Sequence, residues 1–291
     1  MIQLHDGVKP VRSIAILALF RNCEKFLPTL FPSLEAFENE YSVAFTYYFL
    51  ENNSTDNTNK LLKDFMRTRN GKFIEGIDVT FDKEAHTPYS IKPVRVSKMV
   101  YLRNFLFNSC KADFANVDWL LMIDSDIAFD SSVLRELFSK SPAKNNIGML
   151  SPYGSEVVHV KDEGTNKYAT MYHYYDSFAI IYADGYTTRP FCRFDKCGAC
   201  VNTKGRQTLP TIPRSQDIVD VKSCFGGFML IDNSCMKSDS IRWDSILFCT
   251  YEDTATCEHV LFCYKFAAIT NKRICIAQNV NILCSLCMDS K

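Results

Sequence analysis

Short apolar runs alternate with segments of helical periodicity along the first part of the chain. Ser13 to Phe20, and VAFTYYFLENN around Glu51, are apolar or aromatic over the length of a strand. Between them, CEKFLPTLFPSLEAF carries apolar residues at helical spacing, with two prolines in its first turns. A second helix is predicted within NSTDNTNKLLKDFM, with Ser54 or Asp56 as its N-cap. This alternation of strands and helices predicts a doubly wound α/β sheet.

A third predicted strand ends on two acidic residues. SKMVYLRNFLFNSC predicts the helix before it, and Trp119 to Ile123 is a continuous apolar run, typical of a strand covered on both faces. Asp124 and Asp126 fall at its carboxyl end, where open α/β sheets bind ligands. On a regular strand the pair would share one face, about 6 to 7 Å apart, and could bind one divalent cation. A solvated strand end followed by a helix cap explains the pair equally well.

Length and composition indicate one globular domain. The chain has 291 residues, of which 47% are hydrophobic, and a domain of this size buries roughly 75% of the surface of its unfolded chain. No linker, repeat or low-complexity stretch interrupts it, so we predict a single domain over residues 1–291. Lys plus Arg and Asp plus Glu both number 33, so no net field would attract nucleic acid, and we predict no nucleic-acid partner.

The sequence shows no membrane span. Its first long apolar run, SIAILALF, lies between Arg12 and Arg21 and is far shorter than the ~18 residues that a span requires. We therefore expect neither a transmembrane segment nor a signal peptide. Several of the 13 cysteines, such as Cys110 and Cys224, lie inside apolar runs, which favours reduced thiols and a cytoplasmic protein.

Five sequence blocks carry a resemblance to a known family. YLRNFLFN, LLMIDSDIAF, YYDSFAIIYADG, SCFGGFMLID and CEHVLFCYKF occur in the order seen in the fungal capsule-associated α-1,3-mannosyltransferase family, over roughly residues 12 to 285. The turn ENNSTDNT after the second strand also resembles the base- and ribose-binding turn of GT-A glycosyltransferases. The resemblance implies a Rossmann-like GT-A fold with a central, mostly parallel twisted sheet flanked by helices. Residues of about 12–130 would bind the nucleotide sugar, and about 131–285 would bind the acceptor and carry catalysis.

The same resemblance implies the reaction and the donor site. It indicates metal-dependent transfer of a sugar from GDP-mannose or a UDP-sugar to a glycan or glycoconjugate acceptor, with retention of configuration. Mn²⁺ or Mg²⁺ held by Asp124 and Asp126 would neutralise the leaving diphosphate. Arg103 could bind a phosphate or ribose oxygen, or pair with a neighbouring carboxylate. Gly226 and Gly227 could admit a ligand close to the backbone, or form a β-bulge. The remaining donor-site candidates are Arg21, Glu51 and Asn52.

Acceptor-side candidates come from the later blocks. Tyr175, Asp176, Trp243 and His259 are predicted to contact substrate, although an aromatic core explains the aromatic residues nearly as well. Glu258 is the predicted catalytic carboxylate, which would bind the acceptor hydroxyl or stabilise the sugar cation. A capping role at the start of its helix is the alternative. Glu252 and Asp253 are the competing carboxylates.

Two other functions share parts of this pattern. An Asp-nucleophile phosphatase also ends a strand on Asp-x-Asp, but its motif needs Thr or Val where this chain has Ala128. A non-catalytic sugar-binding or scaffold protein would keep the fold and lose the metal. Overlapping glycosylation sequons at Asn52 and Asn53 fall inside the predicted nucleotide loop, where a glycan would obstruct the donor. We therefore expect an unglycosylated protein that acts in the cytoplasm or on the cytosolic side of a membrane.

Overall fold

The computed structural model describes residues 10–76, 93–140, 142–161, 168–174, 176, 178–185, 216–245, 247–248 and 254–284. The helices of this part are α1 (Leu27–Glu40), α2 (Thr58–Met66), α3 (Pro93–Cys110), α4 (Ser132–Ser139) and α5 (Glu258–Thr270). The first strands are β1 (Ser13–Phe20), β2 (Ala44–Glu51), β3 (Gly71–Ile74), β4 (Trp119–Ile123), β5 (Ile127–Ala128) and β6 (Ile147–Lys161). The later strands are β7 (Tyr168–Tyr174), β8 (Ile181–Tyr182), β9 (Ile218–Ser223), β10 (Phe228–Asp232), β11 (Leu247–Phe248), β12 (Thr254–Ala255) and β13 (Arg273–Cys284).

Most of these strands form one mixed sheet. Its order is β3-β2-β1-β4-β10-β6-β13-β9-β8, with β5 beside β13 and β7 beside β6, while β11 and β12 form a separate two-stranded sheet. The first four strands of this order run parallel, as the alternation of strands and helices predicts. Beyond β4 the directions are mixed: β10 is antiparallel to β4 and to β6, whereas β13 is parallel to β6. The sheet is thus parallel in its first half and mixed in its second.

Helices cover both faces of the parallel half. Successive strand residues point to opposite faces, so β4 contributes Trp119, Leu121 and Ile123 to the core under α1, α2 and α4. Leu120 and Met122 enter the second core, which α3 and α5 complete. Burial on both faces explains why the sequence of β4 is continuously apolar rather than alternating.

The carboxyl ends of β2, β1 and β4 lie side by side. Phe20 pairs with Glu51 across β1 and β2, and Ala18 pairs with Ile123 across β1 and β4. Arg21, Glu51 and Asp124 therefore follow neighbouring strands at one edge of the sheet. In an open α/β sheet this edge is where ligands bind.

Two local features differ from the sequence-based expectation. β3 was not predicted, because it is an edge strand whose four residues are exposed or half-buried and show no apolar pattern. The N-cap of α2 is Asn57 rather than Ser54 or Asp56; Asp56 instead accepts hydrogen bonds from the backbone N–H groups of Thr58 and Glu24. Among the described helices, none combines the length and apolar character that crossing a bilayer requires.

Candidate active site

The Asp-Ser-Asp segment after β4 is held from two sides. The backbone N–H of Asp124 donates to the carbonyl of Gly227 (2.8 Å), which extends the pairing of β4 with β10 by one residue. On the other side, the Ser125 hydroxyl lies 2.9 Å from the Cys23 thiol, in the loop after β1. The side chain of Asp126 is partly exposed one residue further on. The segment is therefore fixed between the β1 loop and the start of β10.

Arg103 joins α3 to two carboxylates of the site. Its Nε donates to Glu258 Oε1 at 3.0 Å, and its Nη2 lies 3.5 Å from Asp124 Oδ1. The side chains of Arg103 and Glu258 are only 5% and 6% exposed, whereas that of Asp124 is 29% exposed. Arg103 therefore forms a buried ion pair with Glu258 and a weaker, more exposed contact with Asp124.

An aromatic stack supports this ion pair. The Arg103 guanidinium lies 4.9 Å from the centroid of the Phe225 ring. The His259 ring stacks nearly parallel on Phe225, with ring centroids 4.0 Å apart. Burial and the nearby Arg103 charge lower the pKa of His259 to about 3, so its imidazole is neutral at neutral pH. Neither ring nitrogen of His259 has a hydrogen-bond partner within the described residues.

The charges of the site are set mainly by Arg103. Burial alone would lower the pKa of Arg103, but the charges of Glu258 and Asp124 outweigh it and raise that pKa. Burial alone would raise the pKa of Glu258, but His259, Arg103 and Arg95 together outweigh it and lower that pKa. Because His259 is neutral at neutral pH, the cations that act on Glu258 there are Arg103 and Arg95. For Asp124, burial outweighs the attraction of Arg103 and raises the pKa.

Gly226 and Gly227 form a turn directly beside Asp124. Both have positive φ, 65° and 76°, and the backbone N–H of Phe228 donates to the carbonyl of Phe225 at 3.2 Å. These are the φ signs of a type I′ turn, which strongly favours glycine at both central positions. The pair is thus a turn leading into β10 rather than a β-bulge within a strand.

Asp176 contacts the same turn from the segment after β7. Its Oδ2 accepts from the Gly226 N–H at 3.3 Å, and its Oδ1 accepts from the Ala179 N–H at 3.2 Å. Burial and the charges of Asp124 and Glu258 raise the pKa of Asp176 to about 7, despite these two donors. Asp176 therefore lies within electrostatic reach of both carboxylates that contact Arg103.

Glu51 and Asn52 hold their own loop. The buried Glu51 carboxylate accepts from the Ser54 N–H at 2.5 Å and from the Asn59 side chain at 3.2 Å. Burial alone would raise the pKa of Glu51, but these hydrogen bonds lower it. The backbone N–H of Asn52, itself buried, donates to the carbonyl of Phe20. Both residues lie at the carboxyl ends of the parallel strands, where the donor site was predicted, and they order the loop between β2 and α2.

The loops after β1 and β2 are also bonded to each other. Asn22 donates its backbone N–H to the Ser54 hydroxyl and accepts from the Thr55 N–H through its side chain. Glu24 accepts from both the backbone and the side chain of Asn57. Arg21 begins the first of these loops, and its carbonyl accepts from the Cys23 thiol. The loops that follow β1 and β2 are therefore ordered by hydrogen bonds within the protein itself.

Among the remaining predicted residues, Trp243 lies apart from the centre of the site. Trp243 is 1% exposed; it stacks on Phe262 with centroids 4.2 Å apart and contacts Phe107, so it packs the core rather than lining an open surface. Asn104 bonds to both the N–H and the carbonyl of Trp243. Three predicted residues lie outside the described residues: Tyr175, Glu252 and Asp253.

Three contributors to the site were not predicted from the sequence: Cys23, Ser125 and Phe225. Ser125 lies inside the Asp-x-Asp pattern and Phe225 directly precedes the two glycines, so their positions alone could have suggested them. Nothing in the sequence around Cys23 marks its contact with Ser125, which is 102 residues away. Over the described part of the chain, no group of three or more His, Cys, Asp or Glu side chains is placed to hold a metal ion.

Comparison with known proteins identifies the fold. No family model matches the sequence, and no curated protein matches it. The structure resembles that of S. aureus TarS residues 1–349, with a TM-score of 0.52 and 14% identity, covering 94% of this chain and 60% of that one. It also resembles TarS in a longer form, with a TM-score of 0.53 and 13% identity, covering 94% of this chain and 36% of that one. TarS 1–349 in complex with UDP-GlcNAc gives a TM-score of 0.51 at 14% identity, covering 93% and 58% of the two chains.

The chain thus spans at most 60% of the length of these TarS chains. At such low identity the likeness shows the fold, and the predicted GT-A fold is confirmed as a mixed sheet flanked by helices. Membership of the fungal capsule-associated family stays a prediction.

Proposed function

We propose that this chain is a metal-dependent glycosyltransferase that moves a sugar from a nucleotide-sugar donor to a glycan or glycoconjugate acceptor. The observation that carries the proposal is the convergence of Asp124, Arg103 and Glu258, from three separate elements, at the carboxyl edge of a GT-A sheet. Burying the Arg103–Glu258 ion pair costs desolvation energy, and an apolar pair would often be as stable, so stability alone does not account for these charges at a ligand-binding edge.

The residues at this edge fit a divalent cation. Asp124 and Asp126 follow β4 two residues apart, and both are partly exposed. Carboxylate oxygens are the hard ligands that Mg²⁺ and Mn²⁺ prefer. Asp124 and Asp126 would hold the ion, with donor phosphate oxygens and water completing its shell. A bound cation supplies the positive charge that stabilises a departing diphosphate.

Arg103 and Glu258 then act as one unit on the acceptor side. The ion pair keeps Glu258 ionised, so its carboxylate can accept a hydrogen bond from an acceptor hydroxyl or stabilise positive charge on the transferred sugar. Arg103 contacts Asp124 as well as Glu258, so it fixes the spacing of the two carboxylates. The family resemblance favours retention of the anomeric configuration, which NMR of the product checks.

The donor is proposed as GDP-mannose or a UDP-sugar, and the reaction as cytoplasmic. TarS has been solved with UDP-GlcNAc, so this sugar nucleotide belongs in the test set together with GDP-mannose. The cytoplasmic proposal rests on the sequon at Asn53, an exposed residue in the loop that Glu51 and Asn22 order at the donor edge.

The test is a screen of nucleotide sugars for Mn²⁺-dependent hydrolysis or transfer. Asp126→Ala should lower turnover on the order of a thousandfold, because a lost cation costs several kcal/mol of transition-state stabilisation. Asp130→Ala is the matched control, because Asp130 is exposed four residues later and its carboxylate accepts from the nearby Ser132 N–H. Full wild-type activity in excess chelator would contradict the proposal.

A further inference from the structure

Asp176 is the predicted substrate residue whose contacts are best defined. Both of its carboxylate oxygens accept backbone N–H groups, one from Gly226 and one from Ala179. Backbone donors on both oxygens fix the plane of a carboxylate and use its strongest acceptor directions within the protein. A carboxylate held in this way is suited to organising the backbone around it.

The turn that Asp176 contacts has one internal hydrogen bond, from the Phe228 N–H to the Phe225 carbonyl, and depends on further contacts for its exact place. Two adjacent glycines lose more conformational freedom on ordering than any other pair, and they have no side chains to anchor them. Among the described contacts, the Gly226 N–H bonds to Asp176, and the Gly227 carbonyl accepts from the Asp124 N–H at 2.8 Å. One short stretch of backbone therefore connects Asp176 to Asp124.

Packing leaves the turn little room to move toward Tyr174. A Cβ on Gly226 would lie 3.0 Å from the Tyr174 hydroxyl oxygen, and one on Gly154 would lie 2.7 Å from the Gly226 carbonyl oxygen. Close approach by β6 and Tyr174 limits the turn on these sides, while the Asp176 hydrogen bond holds its first N–H. The position of the Gly227 carbonyl, and with it the Asp124 backbone, follows from these constraints.

We propose that Asp176 is a positioning residue that fastens the Gly226–Gly227 turn and thereby sets the place of the Asp124 carboxylate. Its importance for the metal rests on the proposed function, whereas its hold on the turn does not. The role differs from binding the sugar, because Asp176 acts through the backbone of Gly226 and Gly227.

The experiment compares Asp176→Ala and Asp176→Asn with wild type and with Asp184→Ala, an exposed aspartate of the same segment. Hydrogen exchange of the ligand-free protein reports the Asp124 amide and the 224–230 segment. Paramagnetic resonance of Mn²⁺ gives the dissociation constant of the metal, and turnover is measured at saturating Mn²⁺.

In Asp176→Ala we expect faster exchange at both places and Mn²⁺ binding weakened about tenfold, which is the upper range for the loss of one hydrogen bond. Turnover at saturating Mn²⁺ should return to within a few-fold of wild type. Asp176→Asn, which keeps one acceptor oxygen, should be intermediate, and Asp184→Ala should match wild type.

Unchanged exchange in Asp176→Ala overturns the inference. So does unchanged Mn²⁺ affinity with turnover lost at saturating metal, since Asp176 would then act on the substrate itself. If wild type neither binds Mn²⁺ nor transfers sugar, the proposed function fails, and the exchange data alone decide whether Asp176 holds the turn.

Discussion

Glu258 begins α5 with its carboxylate bonded to Arg103, 155 residues earlier in the chain. Glu258→Gln keeps an acceptor oxygen for Arg103 but removes the charge. We expect kcat to fall by roughly 10²-fold while the donor KM stays within a few-fold, because an interaction realised only in the transition state acts on kcat. Steady-state kinetics with the donor found in the screen measures both.

Glu252→Gln and Asp253→Asn are the comparisons for this prediction. If Glu258→Gln retains near-normal kcat and one of these two shows the large loss, the catalytic assignment moves to the earlier pair. Thermal unfolding separates the chemical effect from a structural one. Weakening a buried ion pair can cost about 3 kcal/mol of stability, so kcat is compared below the unfolding range of each variant.

Cys23 tests whether the Asp-Ser-Asp segment needs its contact with the β1 loop. The thiol lies 2.9 Å from the Ser125 hydroxyl and donates to the Arg21 carbonyl at 3.1 Å. Cys23→Ser keeps a hydroxyl that can make both contacts, whereas Cys23→Val keeps the volume and loses them. We expect Cys23→Val to raise the Mn²⁺ concentration for half-maximal activity several-fold, at a stability cost of about 1 kcal/mol. Equal metal dependence in the two variants would show that this contact is dispensable.

The turn before β10 can be tested as an element. Gly226 and Gly76 share positive φ, 65° and 69°, but only Gly226 has a close neighbour, the Tyr174 hydroxyl oxygen at 3.0 Å from an added Cβ. Alanine at either position should cost about 1 kcal/mol from the left-handed backbone. Gly226→Ala should also lower kcat/KM at least tenfold, since the turn would have to shift beside Asp124. The same activity in both variants would separate the turn from the reaction.

Elements with a strong local pattern are those that the sequence predicts correctly. β1, β2 and β4 are long apolar or aromatic runs, and α3 and α5 follow the predicted helical segments. β3 is missed because GKFI at the sheet edge shows no burial pattern. The mixed directions of the second half are also missed, because apolar periodicity does not tell which strands pair or in which direction they run.

Contacts between side chains from different elements of the site cannot be predicted from a sequence pattern. Apolar periodicity tells which face of an element is buried, but it does not tell which charged residue meets which. The resemblance named Arg103, Asp124 and Glu258 separately; the sheet order and the packing of α3 against α5 bring them together. The Phe225 stack and the Asp176 contact with Gly226 likewise depend on tertiary positions.

At the scale of the whole molecule, a glycan can test from which side of the protein the proposed donor binds. The two overlapping sequons differ in the structure, because Asn52 is buried at 4% exposure and Asn53 is exposed with a φ of 52°. Asn53 lies in the loop whose neighbours Glu51 and Asn22 order the donor edge. A glycan at this point would cover the side from which the proposed nucleotide-sugar donor would approach.

We therefore expect protein made in the cytosol to be active, and protein directed through the secretory pathway to lose donor binding when a glycan is attached at Asn53. Asn53→Gly removes this sequon and suits the positive φ, so it should restore activity to the secreted form. The same variant made in the cytosol controls for any effect of the substitution itself. Mass spectrometry locates the glycan, and donor affinity is measured on each form. Secreted protein that is fully glycosylated at Asn53 and binds the donor as tightly as the cytosolic form would place the donor site elsewhere on the molecule.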